Sequence, residues 1–330
     1  MGRAEKHTRT KRSKLKIFGY SFLSFIVILV AGGSYIYYQL QPKNHFKNVP
    51  VVGSTDANAS TLPKLASNTF NILLMGSDER KGEKIGHSDS MMLIHVDLNN
   101  HQYQAVSIPR DTRVHLAGYG YTKLTSVQYI IQATQGRLEG VKAAVQAIGE
   151  LTNVPINYYV ETNYEGFQSM ANAVGNVEVH VPFDVTLTHP WYKANKGKVI
   201  PKGTQVLSGQ MITELVHERD SLKNTDYGRQ QLQEVALEGI AKSALQPGNI
   251  AHLPALISSL SDYLVATNMT KEDMISMGLA VKNFNHSQLH YHQLPGASKV
   301  MYDDVLKNNN DEVVLDPQEI NSVMTKYFVN

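Results

Sequence analysis

Hydrophobic and polar positions divide the chain into one long uncharged run near its start and a series of short apolar runs after it. The long run covers 17–39 and contains no charged residue. As a helix rising about 1.5 Å per residue, it is long enough to cross roughly 30 Å of hydrocarbon. No second run of this length follows. The pattern therefore predicts a protein with a single membrane-spanning helix.

A basic cluster directly precedes this run. Of the chain's 31 Lys and Arg residues, seven lie in 1–16, together with one acid. Because positive charge is retained inside, we expect a basic cytoplasmic tail and an extracytoplasmic C-terminal part, held at the cell membrane. The alternative is a cleaved signal peptide with its apolar core at 17–31. An uncleaved anchor is favoured, since no A-x-A site follows and the run continues through Tyr35, Tyr37 and Tyr38, which would form the outer aromatic belt.

The short apolar runs are bounded by Gly, Asn, Asp or Pro, which is typical of buried strands. Strands are predicted at 70–75, 91–98, 103–108, 156–161, 177–181 and 288–293. Asn99 and Asn100 form a turn that would make the second and third strands a hairpin. Helices are predicted at 123–135, 138–151, 164–174, 208–216, 227–245, 251–265, 271–282 and 317–327, with a loop or hairpin at 184–206.

This mixture of strands and helices predicts an α/β or α+β fold. We expect a single layered domain at 69–330, in which helices flank a central mixed sheet. Residues 40–68 carry Asn, Ser, Thr, Pro and Ala without sustained periodicity. We interpret them as an extracytoplasmic stalk between the membrane and the domain.

Composition removes several kinds of function. The chain has no Cys, which excludes a disulfide scaffold, an iron–sulfur site and a thiol nucleophile. Outside 1–16 it holds 24 Lys and Arg against 28 Asp and Glu, so direct nucleic-acid binding is not expected. Neither G-x-S-x-G nor G-x-x-x-x-G-K-[ST] occurs, which removes the commonest serine-hydrolase and nucleotide-binding interpretations.

The first window of candidate chemistry surrounds the first three predicted strands. Asp78 follows the first strand, Asp89 precedes the second and Arg110 follows the third. If the middle strand is antiparallel to its neighbours, all three residues lie at one end of the sheet. Two carboxylates and a guanidinium in one place suit a divalent cation and a phosphate. The alternative is that both aspartates cap loops and Arg110 pairs with Asp111.

The second window opens the predicted helix at 227–245. Asp226 is a candidate N-cap, and Arg229 and Gln233 share one helix face because they are four residues apart. The free N–H groups of a helix start favour anions. The alternative is a capped amphipathic helix with a solvated arginine. The exported part contains only six arginines, most of them in or beside these two windows, and planar phosphate recognition needs arginine rather than lysine.

Histidine and tryptophan give weaker signals. His290 and His292 share one strand face, but no third ligand is spaced near them, so a partly buried strand pair is favoured over a metal site. His217 and Glu218 lack the second His of H-E-x-x-H. Trp191 stands alone in a loop, where packing is favoured over sugar contact.

Several motifs together resemble the LytR-CpsA-Psr family of Gram-positive envelope proteins, most firmly over 70–250. They are LLMGSDER at 73–80, SDS at 88–90, SIPRDT at 107–112, Lys123 with Leu124, ER at 218–219 and DYGRQ at 226–230. The resemblance implies an extracytoplasmic phosphotransferase with a possible polyprenyl pyrophosphatase side activity. Such an enzyme moves wall teichoic acid or capsular polysaccharide from a polyprenyl pyrophosphate carrier in the membrane lipid to peptidoglycan.

The resemblance also implies roles for single residues. Asp78 and Asp89 would hold Mg²⁺, or Mn²⁺, on the pyrophosphate. Asp226 would orient an arginine or accept the proton of the attacking hydroxyl, and Arg110 would complete the catalytic set. The residues expected to bind the pyrophosphate are Arg80, Arg110, Arg219, Arg229, Gln233, His87 and His217.

The sequence departs from the family pattern at two of these positions. His87 stands two residues before Asp89, and His217 two before Arg219, where the family usually has arginine. A further basic residue common after G-R-Q is also missing, with Leu232 nearby. Imidazoles are half charged near pH 6.5, so we expect this member to work best at mildly acid pH. A different carrier, weakened catalysis or a space-filling role remain alternatives.

Two other functions compete with the phosphotransferase. Family members often carry the label of transcriptional attenuator, but only about 16 residues would lie inside the cell, too few for a DNA-reading helix-turn-helix. A non-catalytic envelope protein that binds polyprenyl phosphate or glycan, with indirect regulatory effects, is the remaining alternative.

Overall fold

The computed structural model describes residues 30–53, 62–80, 82–250 and 263–329. The predicted basic tail, the first part of the predicted membrane run and most of the predicted helix at 251–265 lie outside these ranges. Within them, no helix combines the length and the apolar character needed to cross a membrane.

Fourteen strands are present in the described residues, and six of them form the central sheet in the order β11-β6-β1-β2-β3-β12. Strand β2 lies between β1 and β3 and is antiparallel to both, whereas β6 pairs in parallel with β1 and β12 pairs in parallel with β3. The strands are β1 Thr69–Ser77, β2 Ser88–Asp97, β3 Gln102–Ser107, β4 Arg113–Leu116, β5 Gly120–Lys123, β6 Tyr158–Asn163, β7 Val177–Val181, β8 Val185–Thr186, β9 Val199–Ile200, β10 Gly203–Leu207, β11 Leu264–Thr267, β12 Leu289–Gln293, β13 Gly296–Asp303 and β14 Asn308–Leu315.

Helices cover both faces of this sheet, which confirms the predicted mixed sheet flanked by helices. The helices are α1 at 30–39, α2 Pro42–His45, α3 Leu124–Gln135, α4 Arg137–Thr152, α5 Tyr164–Ala173, α6 Gly209–His217, α7 Thr225–Ala244, α8 Pro247–Ile250, α9 Lys271–Ala280 and α10 Pro317–Tyr327. Short 3₁₀ turns occur at Lys193–Asn195 and His286–Gln288.

Alternate residues of β1 divide the core between the two faces of the sheet. Leu73 and Met75 point into the largest apolar core, which α3, α4 and α10 cover. Phe70 and Ile72 point to the other face, where they meet Phe46 and Tyr158. A third core lies between α5, α6, α7 and the small β7–β10 sheet.

The first part of the predicted stalk, residues 40–53, packs against the domain. Phe46 is only 1% exposed, and its ring lies 4.5 Å from that of Phe70. His45 Nε2 lies 2.8 Å from Asp273 Oδ1, and Val52 forms a β-bridge with Ile156. Phe46 therefore holds residues 40–53 against the domain. The sequence pattern did not indicate this contact, because a single aromatic residue in a polar stretch produces no hydrophobic periodicity.

Candidate functional site

Three loops meet at one end of the central sheet. Because β2 is antiparallel to β1 and β3, Asp78 after β1, Asp89 at the start of β2 and Arg110 after β3 lie at the same edge. The sequence prediction of this shared edge is confirmed. Arg110 Nη1 donates to Asp89 Oδ1 at 2.6 Å, and its Nε lies 3.8 Å from Asp111 Oδ2. The stronger partner of Arg110 is therefore Asp89 and not its chain neighbour.

The start of α7 brings the second window to the same place. Arg229 is 5% exposed, and its Nη2 donates to the backbone oxygen of Asp89 at 2.8 Å and to Asp226 Oδ1 at 2.5 Å. Asp226 is not the N-cap that the sequence predicts, because α7 begins at Thr225 and Asn224 precedes it. Asp226 instead lies in the first turn, where its carboxylate fixes Arg229.

Both guanidinium groups keep an unused donor. Arg110 Nε and Arg229 Nε are buried and have no hydrogen-bond partner among the described residues. A buried donor without a partner loses its hydration without compensation, so a ligand or water that accepts a hydrogen bond from either Nε would stabilise this arrangement. Two convergent guanidiniums with spare N–H groups suit an anion with several oxygens, such as a phosphate.

His87 and Asp78 form a pair beside this cluster. The His87 backbone N–H donates to Asp78 Oδ1 at 2.6 Å, and Nδ1 lies 3.3 Å from Oδ2. The imidazole stacks on Tyr129 with the ring centroids 4.5 Å apart. The hydrogen bond with Asp78 raises the pKa of His87. Burial alone would raise the pKa of Asp78, but hydrogen bonds from His87 outweigh it, so the net shift is downward.

His217 has a different environment. Its Nδ1 lies 2.6 Å from the Tyr164 hydroxyl, and burial lowers the pKa of His217 below the usual value for imidazole. Burial also raises the pKa of Tyr164 to about 12, so this phenol stays neutral. The two histidines that replace family arginines thus shift in opposite directions. A shared acid optimum does not follow from this geometry, because only His87 gains a stabilised positive charge.

The remaining predicted residues lie around this centre. The Arg80 guanidinium lies over the Trp191 ring, 5.4 Å from its centroid, and Trp191 packs on Tyr164 at 5.0 Å. Arg219 Nε lies 3.3 Å from Asp220 Oδ1 in an exposed position at the rim. Arg80 is thus exposed beside Trp191 and lines neither the polar mouth nor the apolar cleft described below.

A polar mouth and an apolar cleft share Asp89, Tyr164 and Arg229. The mouth has an empty volume of about 610 Å³ and includes Arg110, His217 and Arg219. The cleft has an empty volume of about 720 Å³ and runs between the sheet and α5, α6 and α7. Its lining includes Leu74, Met92, Phe167, Val216, Gln233 and Leu237. The site is therefore amphipathic, with guanidinium groups at one end and hydrocarbon beyond them.

A buried hydrogen-bond chain beneath the site was missed by sequence reasoning. The Ser88 hydroxyl donates to Gln128 Oε1 at 2.6 Å, and Gln128 Nε2 donates to Glu161 Oε1. All three side chains are fully buried. Burial raises the pKa of Glu161 to about 7. Ser88 lies between His87 and Asp89, so these hydrogen bonds fix the position of the segment that carries both site residues.

Trp191 and Tyr164 were also outside the predicted site. The loop before β9 is fixed by Glu214, whose buried carboxylate accepts from the backbone N–H groups of Trp191 and Tyr192 at 2.7 and 2.9 Å. The sequence indicates this contact in one way only. Glu214 is an acidic residue among the buried apolar residues of α6, and a buried acid needs hydrogen-bond donors.

The model of the LytR_cpsA_psr family matches residues 28–328 of the sequence. The chain belongs to the LytR-CpsA-Psr family. The resemblance read from the motifs is confirmed, and the match reaches well beyond 70–250.

Relatives of known name agree with this membership. Bacillus anthracis TagU, a polyisoprenyl-teichoic acid–peptidoglycan teichoic acid transferase, is 31% identical over 254 residues, which are 76% of this chain and 78% of TagU. Bacillus licheniformis TagU, with the same name, is 28% identical over 294 residues, which are 87% and 89% of the two chains.

Solved structures of the LytR-CpsA-Psr family share the fold. B. subtilis TagV matches with a TM-score of 0.64 at 24% identity, over 78% of this chain and 95% of TagV. TagT bound to LIIa-WTA matches with a TM-score of 0.62 at 23% identity, over 78% and 86% of the two chains. The layered sheet described above is therefore the fold of these proteins.

Proposed function

We propose that the chain is an extracytoplasmic phosphotransferase that moves an anionic glycopolymer, wall teichoic acid or capsular polysaccharide, from a polyprenyl pyrophosphate carrier to peptidoglycan. The observation that carries this proposal is that the buried Arg229 and the partly buried Arg110 lie beside an apolar cleft, which shares Asp89 and Arg229 with the polar mouth. A substrate with a diphosphate and a long hydrocarbon tail matches both halves. The names of the TagU relatives support teichoic acid as the polymer.

In this proposal a sugar hydroxyl of the acceptor attacks the phosphorus that carries the glycopolymer. A new P–O bond forms, the P–O bond to the polyprenyl phosphate breaks, the polyprenyl phosphate leaves, and the hydroxyl proton passes to water or to the departing phosphate. Arg110 and Arg229 bind the phosphate oxygens on which charge develops, and such preorganised donors supply much of the rate enhancement in phosphoryl transfer. Asp226 holds Arg229 in place, and Gln233 lies where the mouth meets the cleft.

Asp78 and Asp89 would hold the divalent cation, Mg²⁺ or Mn²⁺. Their carboxylates lie at the same sheet edge and are partly exposed. Mg²⁺ is usually bound by one or two carboxylates together with water and phosphate oxygens, so this donor set fits it. No cluster of three or more acidic or imidazole ligands occurs in the parts of the chain described here. When bound, the cation would neutralise pyrophosphate charge.

A non-catalytic role in binding polyprenyl phosphate or glycan is the second candidate. The observation in its favour is His217, which burial holds toward the neutral form where the family usually has a cation. Both candidates need the same cleft, so binding alone does not separate them. For either one, we propose a single-pass protein in the cell membrane with a cytoplasmic N-terminus.

Turnover separates the two candidates. The test incubates the full chain with a polyprenyl pyrophosphate-linked glycopolymer, peptidoglycan and Mg²⁺, and follows polymer attached to peptidoglycan. We expect transfer that is lost on chelation and in Asp89→Ala and Arg110→Ala, while the exposed-surface control Lys196→Gln retains it. Folded protein that binds the carrier without any turnover would leave only the non-catalytic role.

A further inference from the structure

The segment that enters the domain from the predicted membrane run has an unusual surface. Four consecutive residues of helix α1 are each at least 57% exposed: Tyr35, Ile36, Tyr37 and Tyr38. The helix therefore presents large apolar side chains to its surroundings on all sides. Contiguous exposed apolar surface marks contact with a membrane or another protein. Together with the uncharged run at 17–39, this surface identifies α1 as the outer end of the predicted span.

Only a short connection separates α1 from the domain. The backbone oxygen of Leu40 accepts from Ser276 Oγ on α9 at 2.9 Å, and Asn44 Nδ2 donates to the backbone oxygen of Tyr38 at 2.9 Å. The buried Phe46 follows two residues later. If 17–39 spans the membrane, the bilayer surface lies close to α2, α9 and the β2–β3 turn, since residues 40–46 are packed against the domain.

A cleft opens at this end of the domain, with an empty volume of about 940 Å³. Lys43, His101 and Lys282 lie on its wall and are exposed, and their side chains make no hydrogen bond or ion pair with the described residues. Gln41 contributes a buried Nε2 that also lacks a partner in these residues. Phe284 adds an apolar wall.

Two carboxylates on β2 and α9, which lead into this end of the domain, are engaged in hydrogen bonds. Asp97 accepts from the backbone N–H groups of Asn99 and Asn100 at 2.8 and 3.1 Å. Asp273 is bonded by His45 and by Thr270. The lysines of the cleft therefore keep their positive charge available to an outside anion.

We propose that this cleft binds the phosphate headgroup of an anionic phospholipid, so that the end of the sheet where β1 begins stands on the bilayer. Cationic side chains next to a membrane are attracted to anionic headgroups, and the attraction is worth roughly fivefold in affinity per lysine. Gln41 Nε2 supplies an added hydrogen-bond donor to phosphate oxygens. The proposal depends on the predicted membrane span and is independent of the proposed transfer reaction.

The proposal fixes the height of the candidate site. Strands β1 and β2 have 9 and 10 residues and carry Asp78 and Asp89 at their far end. At about 3.3 Å per residue, this end lies roughly 30 Å from the cleft. The apolar cleft beside Leu74 and Met92 then points from the pyrophosphate site back toward the membrane.

Trp191 makes a direct test possible, because it is the only tryptophan of the chain. The full-length protein is placed in nanodiscs of phosphatidylcholine with or without phosphatidylglycerol, containing a headgroup spin-labelled lipid that quenches nearby indoles. A second protein carries Trp191→Phe and Asn283→Trp, with the new indole on the exposed wall of the cleft. We expect strong quenching of that indole, increased by phosphatidylglycerol, and little quenching of native Trp191.

The lysines are tested in the Asn283→Trp background. Lys43→Gln with Lys282→Gln should abolish the increase that phosphatidylglycerol causes, whereas the control pair Lys196→Gln with Lys299→Gln should leave it intact. Equal quenching at both indole positions, no response to phosphatidylglycerol, or a chain that does not insert into nanodiscs would each overturn the proposal. Transfer activity in detergent is measured separately, so failure here is distinguishable from failure of the proposed function.

Discussion

Arg229 is the most enclosed of the cationic side chains placed in the site, and its two fixed partners explain why. Asp226 and the backbone oxygen of Asp89 hold its Nη2, which leaves Nε free for a ligand. We expect Arg229→Lys to lower the rate of transfer about 100-fold or more, since one preorganised donor to developing negative charge is typically worth that much. The measurement is kcat with the purified variant, beside Lys196→Gln. A loss smaller than about threefold would remove Arg229 from the proposed chemistry.

The two site histidines make a second residue-level prediction. The pKa of His87 is raised by Asp78, so His87 should keep its charge to higher pH than a free imidazole and lose it as pH rises through the raised value. The pKa of His217 is lowered by burial, so it should become charged only in more acid solution. NMR titration of labelled histidine should give midpoints above and below about 6.5 respectively. The reverse order would contradict the site geometry.

The sequence predicted correctly the location of site residues that lie at the ends of predicted strands. Asp78, Asp89 and Arg110 flank three short apolar strands, so an antiparallel arrangement alone brings them together. Asp226 was misassigned as an N-cap because one residue in the helix start decides that role. Gln128 could not be identified, since its partner Glu161 lies on another element and a glutamine in a helix carries no local sign of burial.

At the scale of elements, α3 holds the start of β2 through polar side chains. Gln128 connects Ser88 to Glu161, and Gln132 Oε1 accepts from the backbone N–H of Gly86 at 3.0 Å. Glu161 has a pKa raised to about 7 in the fold, above its unfolded value, so the folded state binds more protons between these values. Stability should therefore fall as pH rises from about 4.5 to beyond 7.

Glu161→Gln tests this connection because it keeps the shape and removes the charge. We expect the variant to lose the fall in unfolding free energy between pH 5 and 8, an effect on the order of 1–3 kcal/mol in the native chain. Denaturant unfolding at several pH values measures it, and Glu161→Ala should be destabilised at every pH. An unchanged pH slope in Glu161→Gln would show that Glu161 does not titrate in this range.

The β13–β14 hairpin illustrates an element that the sequence concealed. Its strands are polar or mixed and largely exposed, so no apolar alternation marks them. Arg113 Nη1 donates to the buried Glu312 at 2.5 Å and to the backbone oxygen of Tyr302 at 3.1 Å. The sequence pattern also did not predict strand β11. This short strand is defined by its pairing with β6, which is a tertiary contact.

Removing one side of the Arg113–Glu312 pair should be costly. Arg113→Ala leaves a fully buried carboxylate without its cation, and we expect a loss of about 3–5 kcal/mol of unfolding free energy. Lys196→Ala, which removes an exposed lysine away from this hairpin, is the control and should stay within about 0.5 kcal/mol. Denaturant melts compare the two, and similar stabilities would mean that the ion pair does not hold the hairpin to β4.

At the scale of the whole molecule, the two ends of the central sheet differ in the groups that they carry. One end carries the guanidinium cluster and opens into the apolar cleft. The other end receives the segment from the predicted membrane run through Phe46 and His45. A pattern of apolar runs predicted the sheet and its flanking helices. It could not predict the docking of 40–53, because that docking depends on tertiary contacts, and two of its hydrogen bonds join residues more than two hundred positions apart.

The central claim is that two windows far apart in the sequence form one site for a lipid-linked diphosphate. A structure of the protein with bound polyprenyl pyrophosphate tests it most directly. We predict that the diphosphate contacts both Arg110 and Arg229, with the hydrocarbon tail between β1, β2 and α7 beside Leu74 and Leu237. A diphosphate bound away from these arginines, or a tail outside this cleft, would contradict the account.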